Sequence, residues 1–412
     1  MKIYAVGGCV RDELMGIKPR DFDYVVTGST EEEMISREFK KVGKSFPVFI
    51  HPETGDEYAL ARKEVSTGSG YRDFDIEFHP DVTITQDLYR RDLTINAIAR
   101  DIETDEIIDP FNGVHDITDR ILRVVSQSSL LEDPCRVLRL ARFAAKFPGF
   151  SIDIDTLTAF SNARYDNISP ERVENIMMKA LMDVQPSKFF TLLKNHSNRG
   201  DFKYWFKEIF DLDNKQQTHK WHMEGDSFVH TMRVLDFTAM YNEPLNIRFA
   251  ALTHDLGKGI TPIDILPAHH GHEKRGIKLV EDFCARLRID KVKERQSKFT
   301  AQYHTHVHNF NKINDNTKFK FYDAIKNHID DSEIIGMVSF YDNMGKLPYS
   351  DYGRNHKDFI NLMKYIKTQD RLSDTYTLDE IQEMSVGKLI EARMRVIKKI
   401  IFQDKHIRFK TH

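Results

Sequence analysis

The chain changes its hydrophobic period near residue 133, and that switch restricts its architecture more than any other feature. Up to residue 110, short alternating runs stand between turn residues. Lys2–Val6, Asp21–Val26, Val48–Ile50, Tyr58–Ala61 and Ile107–Ile108 read as strands of a five-stranded mixed sheet. Ser66-Thr67-Gly68-Ser69-Gly70 has the composition of a flexible loop. From Asp133 the pattern is helical: Asp133 can cap, Pro134 suits a first turn, and Val137, Leu138, Ala141 and Ala144 recur on one face. A second helix starts at Ser169-Pro170, with Val173, Ile176 and Met177 following at helical spacing. The remainder, to His412, reads as helices joined by short polar turns. The fold class is α+β: a head with a small mixed sheet, then an all-α body.

The bulk composition narrows the function classes. Hydrophobic residues at 40% and charged residues at 30% suit a soluble globular protein. No apolar run approaches the roughly 20 residues that span a bilayer, and the N-terminus lacks a secretory signal, so no membrane role and a cytoplasmic location are expected. Cys9, Cys135 and Cys284 lie far apart without metal spacing and read as reduced packing residues. A net charge of −3 excludes a chain that is basic throughout, so any nucleic acid must be held by local charge. Two stretches offer it. One is Arg136 to Lys146; the other is the tail with Lys388, Arg393, Arg395, Lys398, Lys399, Lys405, Arg408 and Lys410.

Asp21-Phe22-Asp23 is the first motif with chemistry in it. Residues two apart on a strand share a face, so both carboxylates can hold Mg²⁺ beside a nucleoside triphosphate. Such a pair alone is usually a solvated strand edge. Here it follows Gly7-Gly8-Cys9-Val10-Arg11-Asp12, which itself follows a strand signal. Paired glycines let a backbone approach a phosphate, and Arg11 can bind triphosphate oxygens through two N–H groups.

Five blocks in order resemble the nucleotidyltransferase superfamily of CCA-adding enzymes and bacterial poly(A) polymerases. They are Gly7–Asp12, Asp21–Asp23, Arg90-Arg91-Asp92-Leu93-Thr94-Ile95-Asn96-Ala97, Glu132-Asp133-Pro134-Cys135-Arg136 and Pro170-Glu171-Arg172-Val173. The resemblance implies catalytic Asp21 and Asp23 with Mg²⁺, and nucleotide binding by Gly8, Arg11, Arg91, Asp92, Asn96, Asp133, Arg136 and Arg139. Arg91 suits phosphates or the ribose, and Asp92 and Asn96 suit sugar hydroxyls. Asp133 accepts and Arg136 donates hydrogen bonds three residues apart on a helix, with Arg139 one turn on, so they can read the Watson–Crick edge of C or A without a nucleic-acid template. Glu57 is a candidate third carboxylate on a neighbouring strand. The implied substrates are CTP, ATP and the acceptor end of tRNA, gripped through phosphates and shape. The head motifs scarcely separate this activity from poly(A) synthesis.

Many of the 18 histidines fall between His219 and His308. His230, then His254-Asp255-Leu256-Gly257-Lys258, then Asp342 follow the His…His-Asp…Asp order, and this set resembles the HD phosphohydrolase superfamily. The resemblance puts His230, His254, Asp255 and Asp342 on a metal, and His272 and His304 where some members bind a second one. Imidazole ligands favour Ni²⁺, Co²⁺ or Mn²⁺ over Mg²⁺. His219 and His328 read as surface residues. The implied activity is hydrolysis of a phosphate ester, such as a 2′,3′-cyclic or terminal phosphate on a damaged tRNA end, which lacks a free 3′-hydroxyl. The expected domains are 1–138 nucleotidyltransferase head, 139–215 helical neck, 216–345 HD domain and 346–412 basic helical tail. The head-plus-HD order is similar to that of multifunctional bacterial CCA proteins, while the oligomeric state is not readable.

Overall fold

The computed structural model describes residues 1–42, 48–66, 74–163, 168–196, 201–220, 222–347, 355–369 and 377–384, with residues 388, 392, 395, 396 and 399. Residues 67–70 of the Ser66–Gly70 loop, and Arg393, Lys398, Lys405, Arg408 and Lys410 of the basic tail, lie outside the described residues. The chain divides into two units, Met1–Tyr204 and Trp205–His412.

The first unit is built on strands β1 (Lys2–Val6), β2 (Asp23–Thr27), β3 (Lys40–Val42), β4 (Val48–Ile50), β5 (Glu57–Leu60), β6 (Lys63–Ser66), β7 (Phe74–Glu77), β8 (Ala99–Asp101) and β9 (Ile107–Ile108). A seven-stranded mixed sheet runs β3-β4-β5-β2-β1-β8-β9, and β6 and β7 form a separate hairpin. β2 is antiparallel to β1 and parallel to β5. The sheet therefore has two more strands than the five expected. β3 reads Lys-Lys-Val and ends the sheet, where charge deters further pairing and erases the alternation that marks a strand. β8 is three residues with Arg100 at its centre, and its pairing to β1 and β9 comes from tertiary context.

Alternation along β1 sets the two faces. Tyr4 and Val6 pack with Val25, Leu88 and Ala99, while Ala5 packs with Cys9, Val10 and Ile98 under the short Gly8–Leu14 helix. The Cys135–Lys146 helix buries Val137, Leu138, Leu140, Ala141 and Ala144, leaving Arg139 exposed and Arg142 half-buried. Full burial of Leu138 and Leu140 contributes roughly 2 kcal/mol each. The Pro170–Leu181 helix starts as its sequence signals, Ser169 preceding Pro170 in the first turn.

The second unit is helical. Its central helices are Ser227–Met240, Leu245–Thr253, His272–Leu287, Lys291–His308 and Asp331–Gly345. Asp226 caps the first by accepting the Val229 N–H at 2.9 Å, and Asp290 caps the fourth through the Val292 and Lys293 N–H groups. The Lys291–His308 helix packs against both the His272–Leu287 and Asp331–Gly345 helices. Two glycines permit close approaches around the histidines. A Cβ at Gly257 would lie 2.0 Å from the His272 carbonyl oxygen, and one at Gly345 would lie 2.6 Å from Val234 Cγ2 and 3.3 Å from His230 Cε1. Among the described residues, no helix is long and apolar enough to cross a membrane.

Candidate active sites

In the first unit, β2 begins at Asp23, and Asp21 lies in the bend just before it. Strand alternation therefore carries Asp23 but does not by itself set where Asp21 points. Both residues are exposed. Asp23 is in register with Glu57 of the parallel neighbour β5, so paired positions bring a third acidic residue to the same sheet end. Burial, followed by the nearby Asp23 carboxylate, pushes the Cys9 thiol up, which puts Asp23 beside the helix that begins at Gly8.

Gly7 has φ 74°, a left-handed conformation suited to glycine, and a Cβ there would lie 2.6 Å from Arg91 Nη1. That residue is glycine so that Arg91 can lie against the turn. Arg91 is anchored behind by Asp87, which also accepts from Arg90 at 2.7 Å and is held below the usual carboxylate range by these arginines despite its burial. Sequence reasoning missed Asp87, although its i, i+3 and i+4 spacing to Arg90 and Arg91 was legible.

Arg11 is buried. It donates to Asp12 Oδ1 at 2.6 and 2.8 Å and to Asn96 Oδ1, and its guanidinium stacks over Phe147 at 5.2 Å. Asn96 Nδ2 in turn donates to Asp92 Oδ1 at 3.0 Å, and Arg139 Nε to Asp92 Oδ2 at 2.7 Å. Burial alone would raise the Asp92 carboxyl, but Arg139 and these hydrogen bonds outweigh it and hold the group at about 2. One connected network thus runs through Arg11, Asn96, Asp92 and Arg139.

The residues expected to read the base are also engaged internally. Asp133 accepts from Arg172 Nη2 at 3.0 Å and from the Cys135 N–H at 3.0 Å, so it satisfies a first-turn amide from a position ahead of the Cys135–Lys146 helix. Arg136 is buried and donates to the Ser129 carbonyl at 3.2 Å and the Arg90 carbonyl at 2.7 Å.

In the second unit the sequence's histidines converge from separate helices. His230 and His254 face Asp342 Oδ1 at 2.8 and 4.0 Å, and Asp255 Oδ2 at 3.9 and 3.2 Å. His272 and His304 face the other oxygen, Asp255 Oδ1, at 3.3 and 3.5 Å. His230, His254 and Asp255 are fully buried and Asp342 nearly so, whereas His219 and His328 are exposed.

The outer nitrogens fix the rings. Nδ1 of His254, His272 and His304 lies 2.7, 3.1 and 3.0 Å from the carbonyls of Ala251, His269 and Thr300, so each donates there and turns Nε2 inward as a lone pair. His230 Nδ1 is held by Glu224 Oε1 at 2.9 Å. His254 Nε2, His272 Nε2 and Asp255 Oδ1 are buried without a hydrogen-bond partner, while Asp255 Oδ2 faces the Lys258 ammonium. Orphaned groups of that kind are costly, and imidazole and carboxylate are metal donors, so a divalent cation fits this set. The ligand atoms of His230, His254 and Asp342, and of His254, Asp255 and His304, each lie within 4.8 Å of one another. In the head, exposed hard carboxylate oxygens at Asp21, Asp23 and Glu57 are the donors Mg²⁺ prefers.

Sequence reasoning missed Glu224 and Lys346 at this site and gave His308, within its histidine run, no role. Glu224 holds both His222 and His230 through Oε1, and its carboxyl is kept far below the usual range by these hydrogen bonds against the cost of burial. It sits in a turn ahead of the helix, where no periodicity signals it. His308 lies 2.5 Å from Asp342 Oδ2. Lys346, four residues after Asp342, carried an i, i+4 signal. Lys258, within the His-Asp motif, lies 2.6 Å from Asp255 Oδ2. A cavity of about 260 Å³ opens on this cluster, lined in part by His222, His272, His304, Asp342, Lys258 and Lys346.

Comparison with known proteins matches residues 3–123 to the poly A polymerase head domain and residues 227–373 to the HD domain. Among solved structures, an apo CCA-adding enzyme is 19% identical with a TM-score of 0.65, covering 98% of this chain and 91% of that one. The Bacillus stearothermophilus CCA-adding enzyme in complex with CTP is 20% identical with a TM-score of 0.65, covering 98% and 89%. The Thermotoga maritima CCA-adding enzyme complexed with tRNA is 19% identical with a TM-score of 0.60, covering 97% and 87%. The chain therefore carries a match to the poly A polymerase head domain followed in sequence by a match to the HD domain, and it has the fold of the CCA-adding enzymes.

Proposed function

We propose that the chain adds C, C and A to the 3′ end of tRNA from CTP and ATP without a nucleic-acid template. Asp21 and Asp23 hold Mg²⁺ in this reading, with Glu57 beside Asp23. The cation supplies charge neutralisation for the triphosphate and the attacking 3′-hydroxyl. The Gly7–Gly8 turn admits phosphate oxygens close to the backbone, and Arg91, braced by Asp87, supplies positive charge there. Asp92 and Asn96 order the ribose, and Asp133, Arg136 and Arg139 select the base. Reading a base at Asp133 exchanges its bond to Arg172 for bonds to the nucleotide. The observation that carries this reading is the hydrogen-bonded network joining two of the sequence blocks to the Cys135–Lys146 helix, Arg11 to Asn96 to Asp92 to Arg139, together with the acidic strand end. Relatives of the same fold bound to CTP, ATP and tRNA support it.

The HD site is proposed to hydrolyse a phosphate ester, with 2′,3′-cyclic and terminal phosphates of tRNA ends as substrates, in the cytoplasm. His230, His254, Asp255 and Asp342 would hold a cation such as Ni²⁺, Co²⁺ or Mn²⁺, and His272 and His304 a second. The cation supplies a Lewis acid for the phosphoryl group. Glu224 and the backbone carbonyls keep the imidazoles oriented, and the cavity admits the ester.

Incubation of the chain with tRNA lacking its 3′ end, CTP, ATP and Mg²⁺ tests the first reading. Addition that stops after the three residues C, C and A supports it. A long homopolymeric tail supports poly(A) synthesis instead, and no extension refutes both.

A further inference from the structure

We infer that Lys346 is a phosphate-binding residue of the HD site, the anchor for the anionic end of its substrate. The inference rests on the phosphohydrolase reading and deepens it by naming a group that recognises the phosphoryl oxygens. Lys346 follows the Asp331–Gly345 helix at the point where the backbone turns extended, φ −74° and ψ 149°. Its ammonium lies 3.4 Å from Asp342 Oδ2, on the carboxylate oxygen opposite the one facing His230 and His254. The side chain is only 11% exposed and lines the cavity over the histidine cluster, together with Lys258, Gln217, Thr218 and Thr305.

Electrostatics favours an anion here. Asp342 balances the ammonium while its charge is not shared. A divalent cation held by Asp342 takes up that charge, leaving dication and ammonium close together in a poorly solvated site, where like charges repel strongly. An anion that touches both removes the repulsion. A phosphoryl group has the charge and several oxygens with which to do so, and the hydroxyl and amide groups of the wall can donate to the others.

The two lysines of the site are built differently. Lys258 is pinned by bonds of 2.6 Å to Asp255 Oδ2 and 2.7 Å to Gln217 Oε1. Lys346 stands at a helix end with its ammonium 3.4 Å from both Asp342 Oδ2 and His308 Nε2, and the next residue is tied to the site, because the Leu347 N–H donates to Glu224 Oε2 at 2.8 Å. Glu224 also orients His230. One carboxylate therefore sets both a proposed metal ligand and the chain that carries Lys346.

The test uses the full chain loaded with Mn²⁺, as wild type, Lys346→Met and Lys346→Arg. Inorganic phosphate binding is measured calorimetrically, bound metal by elemental analysis, and hydrolysis of a 2′,3′-cyclic nucleotide alongside. Losing a charge-assisted contact should weaken phosphate binding by about tenfold or more in Lys346→Met, and by no more than about threefold in Lys346→Arg. Metal content should be equal in all three. Unchanged phosphate affinity in a metal-replete Lys346→Met chain overturns the assignment. So does loss of metal from both variants, which makes Lys346 a support for Asp342. A wild-type chain that holds Mn²⁺ but neither binds phosphate nor hydrolyses the cyclic ester removes the phosphohydrolase reading itself, and the inference with it.

Discussion

Replacing Gly257 with alanine should dismantle the HD site while leaving nucleotide addition untouched. The new methyl group would start 2.0 Å from the His272 carbonyl oxygen and 2.6 Å from the Gly276 N–H nitrogen, both backbone atoms of the His272–Leu287 helix. Real Cβ atoms essentially never come within 3.0 Å of such a neighbour, so helix and turn must part by at least the difference, 3.0 − 2.0 Å, or 1.0 Å. His272 Nε2, now 3.3 Å from Asp255 Oδ1, would then sit about 4 Å away, outside hydrogen-bond range and off its present position in the cluster. Overpacking against a helix backbone belongs at the upper end of the usual penalty, about 3 kcal/mol. With a urea m-value of about 2.5 kcal/mol per molar for a unit of this size, the unfolding midpoint falls by about 1 M. Tryptophan fluorescence follows the unfolding. Metal content by elemental analysis and tRNA extension complete the assay. A midpoint lowered by less than about 0.3 M with metal retained would refute the close-approach argument.

Asp21→Ala should abolish nucleotide addition and spare phosphoester hydrolysis, and Asp255→Ala the reverse; either change ending both activities in a folded chain contradicts the assignment of two separate sites. Asp92→Asn should cost about 2 kcal/mol at neutral pH, scaled from a folded pKa of about 2 against 3.8 and reduced for the half-exposed Arg139. Because this pKa is depressed, the stabilisation is fully present above pH 4 and is lost as pH falls towards 2. The gap between wild type and variant in circular-dichroism unfolding should therefore close across that window, and a constant gap argues against the ion pair as its source. Truncation at residue 385 should weaken tRNA binding and flatten its salt dependence, as filter binding at several salt concentrations would detect. Unchanged binding dismisses the tail as an RNA contact.

What could be read from sequence divides along physical lines. The strand Lys2–Val6 and the Pro170 helix start were legible because each rests on local chemistry, alternation in one case and an N-terminal proline in the other. β3 and β8 were not, since three residues carrying lysine or arginine have no strand signature until a neighbour pairs with them. The histidine and aspartate spacing pointed to the second site, but the internal partners in the head did not show. Nothing along the chain indicates that Asp133 meets Arg172 or that Arg136 reaches the Arg90 carbonyl, because those bonds join residues 39 and 46 apart.

The second unit explains why histidine count alone is a poor guide to a metal centre. A buried imidazole acts as a ligand when something fixes which nitrogen carries the proton. At His254, His272 and His304 a backbone carbonyl three or four residues back in sequence does this, so the local turn selects the tautomer, a helical one at His254 and His304 and the turn ahead of the helix at His272. His269, equally buried, is different: Thr261 Oγ1 engages Nδ1 at 2.8 Å and the Gln216 carbonyl engages Nε2 at 3.0 Å, so neither nitrogen is offered to an ion. Burial, followed by the nearby Lys258 charge, holds that ring at about 4, neutral at physiological pH, as befits a packing element. The distinction is made by the outer nitrogen's partner, which depends on the packed backbone and is absent from residue spacing. Replacing His269 with glutamine, which keeps two polar contacts in similar volume, should therefore leave bound metal unchanged, whereas His254→Gln should lose it.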